Sequence, residues 1–192
     1  MEASGFDQTY IDSYGNVVGC IKGNLPGPRI LLDGHIDTVP VDQPELWEYP
    51  PLEGTIANNR IYGRGTSDMK GAVAAMVCAS AFYAKRCNRD FPGEIYVAGV
   101  VCEELFEGVA SRVISSTVQP NFVVIGEASE LDLKIGQRGR AEIVLETIGK
   151  SAHSASPTKG INAVKKMIKL ISAIDTDYNP PFQNRLGYGI ME

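Results

Sequence analysis

The sequence predicts an α/β protein in which a largely parallel or mixed sheet is flanked by helices and followed by the start of a smaller α+β unit. Two observations support this fold class. Short apolar runs bounded by Gly, Pro and Asp recur along residues 17–125, and an alanine-rich helical segment lies between them. Three of the runs are nearly continuous rather than alternating, which is typical of strands buried on both faces of a parallel sheet.

Four apolar runs are the predicted strands of this sheet. They are VVGCI at 17–21, RILL at 29–32, EIYVAGVV at 94–101 and FVVI at 122–125. The segment KGAVAAMVCASAFYAKR, residues 70–86, lies between the second and third runs and has apolar residues on one side. It is predicted to be a closely packed helix that crosses from one parallel strand to the next.

The hydrophobic pattern of the sequence changes after about Gly139, so we predict a first domain at 1–138 and a second at 139–192. RAEIVLETIG, at 140–149, alternates like a strand with one solvated face, and residues 161–174 carry apolar side chains at helical spacing. The remaining residues form a turn-rich tail, and the segment as a whole is too small to bury its own core. We therefore expect a second domain that is cut short.

Composition excludes several classes of protein. Of the 192 residues, 44% are hydrophobic and 21% are charged, as in folded domains rather than disordered chains. The net charge of −5, without a lysine or arginine run, gives no reason to expect nucleic acid or an anionic membrane as partner. Small molecules or peptides are the expected partners.

Location and redox state are predicted from what the sequence lacks. The N-terminus has no basic segment followed by an apolar stretch, and no window holds about 18 uninterrupted apolar residues. The four cysteines show no CxxC spacing, which argues against a structural zinc knot or a secreted disulfide framework. We predict a cytoplasmic protein with reduced, mostly buried thiols.

Residues that can bind a metal ion follow the three nearly continuous runs. His35 comes after RILLDG, Glu103 and Glu104 come after EIYVAGVVC, and Glu127 comes after FVVIG. Because the carboxyl ends of parallel strands share one edge of a sheet, these side chains are expected to converge. Asp68, which follows the glycine-containing turn GRGT and precedes the crossover helix, is expected to join them.

Each of these residues also has an ordinary structural explanation. The pair His35 and Asp37 forms a His-x-Asp pattern that many proteins contain by chance. Adjacent glutamates are usually solvated, and a lone acid after a strand or before a helix often caps the next turn. The coincidence of several such residues in one register favours the metal site.

The motifs DGHIDTVP, IYGRGTSDMKG, CEE, GEAS and GKSAHSASPTKGINA resemble those of a known family of two-metal hydrolases. The family includes acetylornithine deacetylase, succinyl-diaminopimelate desuccinylase, aminoacylase and glutamate carboxypeptidase. GNVVGCI and GQRGRAEI are most similar to a hydrolase subgroup associated with selenium metabolism. The resemblance implies a zinc-exopeptidase-like fold and metal-dependent hydrolysis of an amide bond in an N-acyl amino acid or a small peptide.

The resemblance also implies roles for five residues. His35 and Glu127 are ligands of one metal ion, Glu104 is a ligand of a second, and Asp68 bridges the two. Glu103 is the general base that takes a proton from the attacking water and passes it to the leaving amine. Imidazole and carboxylate ligands suit zinc, with cobalt or manganese as alternatives.

Two further catalytic roles are implied in the same way. Asp37 accepts the second ring N–H of His35 and fixes its tautomer. His153, in SAHSASP, is either a surface loop histidine or, by the resemblance, a lid-domain residue that stabilises the oxyanion in the partner subunit of a homodimer. The family also places a cis peptide after the bridging aspartate, here Asp68–Met69.

The number of histidines limits the expected activity. Members of the family take the last ligand of the second metal from a further histidine, whereas this sequence has only His35 and His153. We therefore expect the chain to be an incomplete part of the enzyme, inactive alone, with at most one firmly held ion. Two alternatives stay open: a non-catalytic metal-binding fragment, and a nucleotide-binding domain suggested by the glycine-rich GRGTSDMKG, which lacks both common phosphate-binding patterns.

Overall fold

A computed structural model describes residues 1–190 and has the predicted α/β architecture. The chain divides into two compact units, Met1–Asp132 and Leu133–Glu192, where the sequence predicted a boundary between 138 and 139. That the first unit is a catalytic domain and the second a truncated lid and dimerisation domain stays a prediction.

The first unit contains a five-stranded sheet, a two-stranded hairpin and two α-helices. The elements are β1 (Gln8–Ile11), β2 (Val17–Lys22), β3 (Leu25–His35), β4 (Thr55–Ala57), β5 (Arg60–Tyr62), α1 (Gly71–Arg86), β6 (Pro92–Val100), α2 (Val109–Val118) and β7 (Phe122–Ile125). The order in the large sheet is β1-β2-β6-β3-β7. Strand β3 is parallel to both β6 and β7, whereas β1, β2 and β6 pair antiparallel, so the sheet is mixed.

The core lies on both faces of the central strand β6. Val97 and Ala98 are neighbours in this strand, both fully buried, and belong to different apolar clusters. Successive strand residues point to opposite faces, so one cluster forms on each side of the sheet. Ile114 of α2 packs in the cluster of Ala98, and Ala84 of α1 packs in that of Val97. The two helices therefore flank the sheet as predicted.

Strand β7 corrects one prediction. Its four side chains, Phe122 to Ile125, were expected to be buried on both faces, but each is half or more exposed. The strand lies at the edge of the sheet and pairs with β3 on one side. A continuous apolar run therefore predicted the strand, but not the packing around it.

Helix α2 and the β4–β5 hairpin were not predicted, although the sequence contains signals for both. Ala110, Ile114 and Val118 recur at every fourth position and are all buried, which is the spacing of a helix face. In the hairpin, Asn58 and Asn59 adopt φ values of 50° and 59°. Asparagine favours this left-handed backbone, so the Asn-Asn pair was a turn signal.

The second unit contains α3 (Ala163–Asp177) and the short strands β8 (Phe182–Gln183) and β9 (Gly187–Tyr188). Helix α3 confirms the helix predicted at 161–174, and the Asn162 side chain caps it by accepting the Lys165 N–H at 2.9 Å. The strand predicted at 140–149 is wrong: β8 and β9 pair with each other, and this segment has no strand partner among the described residues. An alternating pattern cannot form a strand without a neighbour.

Two smaller observations concern the described residues as a whole. No helix among residues 1–190 is both long and apolar enough to cross a membrane. All four cysteines are free thiols, but Cys78 and Cys102 are exposed and only Cys20 is buried. The expectation of mostly buried thiols is therefore wrong.

Candidate metal centre

The site lies where three parallel strands end at the same edge of the sheet. The register places Val100, the last residue of β6, opposite His35, the last residue of β3. It also places Ile125 of β7 opposite Asp33, so Glu127 comes level with His35 two residues later. The loops after β3, β6 and β7 therefore start side by side, as the sequence predicted.

His35 is the centre of the cluster, and its side chain is only 1% exposed. Its Nδ1 lies 3.0 Å from the backbone carbonyl oxygen of Asp37, which makes Nδ1 the hydrogen-bond donor of the neutral ring. Its Nε2 lies 2.9 Å from Asp68 Oδ1 and 3.7 Å from Glu127 Oε1. The ring thus turns the nitrogen that Asp37 does not engage toward two carboxylates, and this is the atom that would bind a metal ion.

Asp68 reaches His35 from a kinked turn, Thr66–Lys70, that joins β5 to α1. The Asp68–Met69 peptide is cis, as the family resemblance implies. Met69 is fully buried, and its Cε lies only 2.5 Å from where a Cβ on Gly34 would be. The absence of a side chain at Gly34 therefore lets this turn pack against β3, next to His35.

Asp37 makes different contacts from those predicted. Its carboxylate Oδ1 is 3.6 Å from His35 Nδ1, so the closer acceptor for the ring N–H is its own backbone carbonyl. The carboxylate Oδ2 instead accepts the backbone N–H of Glu104 at 3.2 Å. Asp37 therefore supports both the ring of His35 and the loop that carries Glu104.

The structure brings all four predicted metal ligands together with Glu103. Two overlapping sets have their ligand atoms within 4.8 Å of one another: His35 with Asp68 and Glu104, and His35 with Glu103 and Glu127. An imidazole nitrogen and several carboxylate oxygens are the ligands that divalent zinc, cobalt and manganese accept in proteins. The chemistry of this donor set fits a divalent ion.

The charges of the cluster also favour a divalent cation at this site. Burial, together with neighbouring carboxylates, raises the pKa values of Glu103 and Glu127 despite the opposing effect of His35. Burial alone lowers the pKa of His35, but its hydrogen bonds to Asp68 and to the Asp37 carbonyl and the charge of Glu127 raise it overall. Four carboxylates thus surround one imidazole, an excess of negative charge that a divalent cation would offset.

His153 lies in the second unit, before a short helical turn at Pro157–Lys159. Its Nδ1 accepts the backbone N–H of Ala155 at 3.1 Å. In the neutral ring the proton is then on Nε2, which is left as a hydrogen-bond donor. The predicted role at an oxyanion stays a prediction.

Asn16 is a residue near the site that the sequence did not single out. It is fully buried, and its Oδ1 accepts the N–H of Val101, 85 residues away, at 3.0 Å. The pattern Asp12-x-x-Gly15-Asn16 was a signal for a turn, and Gly15 has a φ of 97°. No local pattern could have predicted the long-range contact.

Comparison with known proteins agrees with the geometry. Residues 31–183 match peptidase family M20/M25/M40. The protein YgeY of Escherichia coli strain K12 is 38% identical over 195 residues, which cover 98% of this chain and 45% of that protein. The acetylornithine deacetylase of Aliivibrio fischeri strain MJ11 is 37% identical over 149 residues, covering 77% of this chain and 38% of the relative. The chain therefore spans less than half the length of these relatives.

Solved structures share the fold. An M20 family metallo-carboxypeptidase, Sso-CP2 from Sulfolobus solfataricus, matches with a TM-score of 0.61 at 22% identity, covering 88% of this chain and 40% of that one. A tripeptidase from Staphylococcus aureus matches with a TM-score of 0.56 at 21% identity, covering 89% and 47%. The family match at 31–183 includes His35, Glu127 and the acidic residues between them. The chain belongs to peptidase family M20/M25/M40.

Proposed function

We propose that the protein is a metal-dependent hydrolase of an amide bond in an N-acyl amino acid or a small peptide. The observation that supports this most directly is the arrangement around His35, whose Nε2 faces the carboxylates of Asp68 and Glu127. Glu103 and Glu104 lie within the same cluster. Family membership and the acetylornithine deacetylase relative agree with this reaction class.

In this proposal, His35 and Glu127 would hold one ion, Glu104 would hold a second, and Asp68 would contribute to both sites. Zinc is the proposed metal, with cobalt and manganese as alternatives that the same ligands accept. When bound, the ions polarise the amide carbonyl and lower the pKa of the attacking water.

Glu103 is the proposed general base. Burial and neighbouring carboxylates raise the pKa of Glu103, which makes its carboxylate a stronger acceptor of a proton than an ordinary glutamate. It takes the proton of the attacking water and then gives it to the amine that leaves. Asp37 is proposed to position two ligands of the site. Its backbone carbonyl orients the ring of His35, and its carboxylate accepts the backbone N–H of Glu104.

His153 is the proposed oxyanion donor. The hydrogen bond from Ala155 leaves its Nε2–H available, and a donor aimed at the developing negative charge stabilises the transition state. In the proposed homodimer, formed through the second unit, this donor acts in the partner subunit. We also propose that the protein acts in the cytoplasm.

One observation favours a second candidate function, a chain that binds metal without turnover. The sequence has two histidines, and His35 is the imidazole of the cluster in the first unit. The second ion would then depend on Asp68 and Glu104, and two carboxylates without an imidazole form a weak site. For these 192 residues alone we propose one firmly held ion and no catalysis. The carboxylates also disfavour a nucleotide, whose phosphates they repel.

The experiment assays the natural gene product with zinc, cobalt or manganese on acetylated amino acids, succinylated amino acids and dipeptides. Metal-dependent turnover that a chelator abolishes supports the proposed hydrolase. Metal bound in fixed stoichiometry without turnover of any substrate supports the second candidate. A protein that binds none of the three metals contradicts both.

A further inference from the structure

We infer that Asn16 is a positioning residue for the loop that carries Glu103 and Glu104. Its side-chain amide bonds to the backbone at both ends of the segment 101–110, which contains this loop. The inference rests on the proposed function, because the position of these two glutamates matters as part of the metal centre.

The environment of Asn16 shows that its amide is fully used. The residue is 0% exposed and ends the turn that begins at Asp12. Its Nδ2 donates to Asp12 Oδ2 at 2.8 Å and to the carbonyl of Ala110 at 3.2 Å, while its Oδ1 accepts the N–H of Val101 at 3.0 Å. A buried amide whose polar atoms lack hydrogen bonds lowers the stability of the fold. The three hydrogen bonds of the Asn16 side chain therefore restrain the groups that they join.

Val101 is the point at which regular sheet structure gives way to the loop. The antiparallel pairing of β6 with β2 ends at Gly99, and β6 itself ends at Val100. The N–H of Val101 therefore lies beyond this ladder, where Asn16 provides an acceptor. Cys102 then adopts a φ of 57°, which turns the chain immediately before Glu103. The bond from Asn16 fixes where this turn starts.

The loop is held from a second direction by Asp37, whose carboxylate accepts the N–H of Glu104. Glu103 thus lies between two anchored amides, those of Val101 and Glu104. The bond from Asn16 to Ala110 fixes the start of α2 and so closes the same segment at its far end. A short chain anchored in this way keeps its side chains in one geometry, which a catalytic cluster requires.

The test uses Asn16→Leu and Asn16→Ala, which both remove the two bonds to the segment and differ in the size of the side chain that replaces the amide. Ile21→Ala is the control, because Ile21 is fully buried in the apolar cluster on the α1 side, which includes no residue of the segment 101–110. Its truncation should lower overall stability away from this segment. The first readout is backbone hydrogen exchange of residues 101–110 in the metal-free chain. We expect exchange at least about tenfold faster in Asn16→Leu than in the control at equal overall stability.

Equal exchange in Asn16→Leu and Ile21→Ala would overturn the inference, because the amide would then contribute only general stability. If Asn16→Leu does not fold, Asn16→Ala decides by the same readout: faster exchange of residues 101–110 than in the control is expected, and equal exchange would overturn the inference.

The second readout is the affinity of the natural gene product for a second cobalt ion, measured by titration in the presence and absence of Glu104→Gln. We expect Asn16→Leu to weaken binding of this second ion about tenfold when Glu104 is present and to have little further effect once Glu104 is replaced. Equal weakening in both backgrounds would mean that Asn16 does not act through this loop and would overturn the inference. If the unchanged chain binds no cobalt, the proposed function fails, while the exchange measurement still decides the role of Asn16.

Discussion

At the scale of single residues, His35 illustrates how burial and hydrogen bonding select one ligand atom. The carbonyl of Asp37 engages Nδ1, and the remaining nitrogen faces Asp68 and Glu127. The ring is almost completely shielded, so its orientation cannot change without disturbing β3. A metal-binding histidine needs this pre-orientation, because a mobile ring loses entropy on binding the ion.

Replacing Glu103 with Gln should separate metal binding from catalysis. The change removes the proposed base but leaves His35, Asp68, Glu104 and Glu127 in place, so metal content should be retained. In a catalytically active gene product, kcat should fall at least about 100-fold. Steady-state kinetics and metal analysis of the same preparation check this.

The control for this prediction is Glu53→Gln, the same chemical change at an exposed glutamate outside the two ligand sets. It should leave kcat close to that of the unchanged protein. Loss of metal from Glu103→Gln would contradict the assignment and make Glu103 a ligand.

Asp12 should make stability depend on pH. Burial opposes its charge, but hydrogen bonds from the Asn16 side chain and from the Tyr14 and Asn16 amides hold the pKa of Asp12 below its ordinary value of 3.8. Because the folded-state pKa is depressed, the stabilisation is present above pH 3.8 and is lost as the pH falls through the folded value. Urea unfolding should therefore show a difference between the unchanged chain and Asp12→Asn that is constant near neutral pH and shrinks below pH 3.8. A difference of the same size at pH 3 and pH 7 would argue against this account.

At the scale of residues, the sequence predicts the residues of the candidate metal site better than the contacts that hold those residues in place. The positions of His35, Glu103 and Glu127 follow from a simple rule, because each lies at or just after the end of a strand of one parallel set. The contacts of Asp37 and Asn16 depend on where two distant loops meet in space. Such contacts leave no periodic pattern in the sequence, so they became visible only in the structure.

At the scale of elements, the close approach of β3 to the turn before α1 controls the position of Asp68. A Cβ on Gly34 would lie 2.5 Å from Met69 Cε and 2.9 Å from Val73 Cγ2. Gly34→Ala should therefore displace the turn or the helix and lower the free energy of unfolding by about 1–3 kcal/mol, as overpacking does in other cores. Zinc affinity should fall as well, since Met69 follows Asp68 directly.

Urea unfolding and zinc titration of Gly34→Ala test this prediction. Gly136→Ala is the matched control, because a Cβ at Gly136 meets nothing within 4 Å. A Gly34→Ala protein with unchanged stability and unchanged zinc affinity would show that the turn adapts without cost.

The elements also show where sequence patterns lose their predictive power. The apolar runs correctly predicted β2, β3, β6 and β7, because a strand requires β-forming residues whatever covers it. Burial of β7 and the strand at 140–149 both depend on neighbouring elements. The sequence pattern describes a segment and not its neighbours, so both of these predictions were wrong.

At the scale of the whole molecule, the central claim is that the first unit holds a divalent ion through His35. Two observations support this claim. The ends of the parallel strands bring the ligands together, and an excess of carboxylates surrounds one imidazole. The most direct test is the zinc content of the 192-residue chain after dialysis, compared with that of His35→Ala and His153→Ala. His153→Ala is the matched control, because it makes the same substitution at the histidine of the second unit.

The account predicts one zinc per chain for the unchanged protein and for His153→Ala, and loss of this zinc in His35→Ala. A chain that retains the same zinc content after His35→Ala, or an unchanged chain that holds no zinc at all, would contradict it.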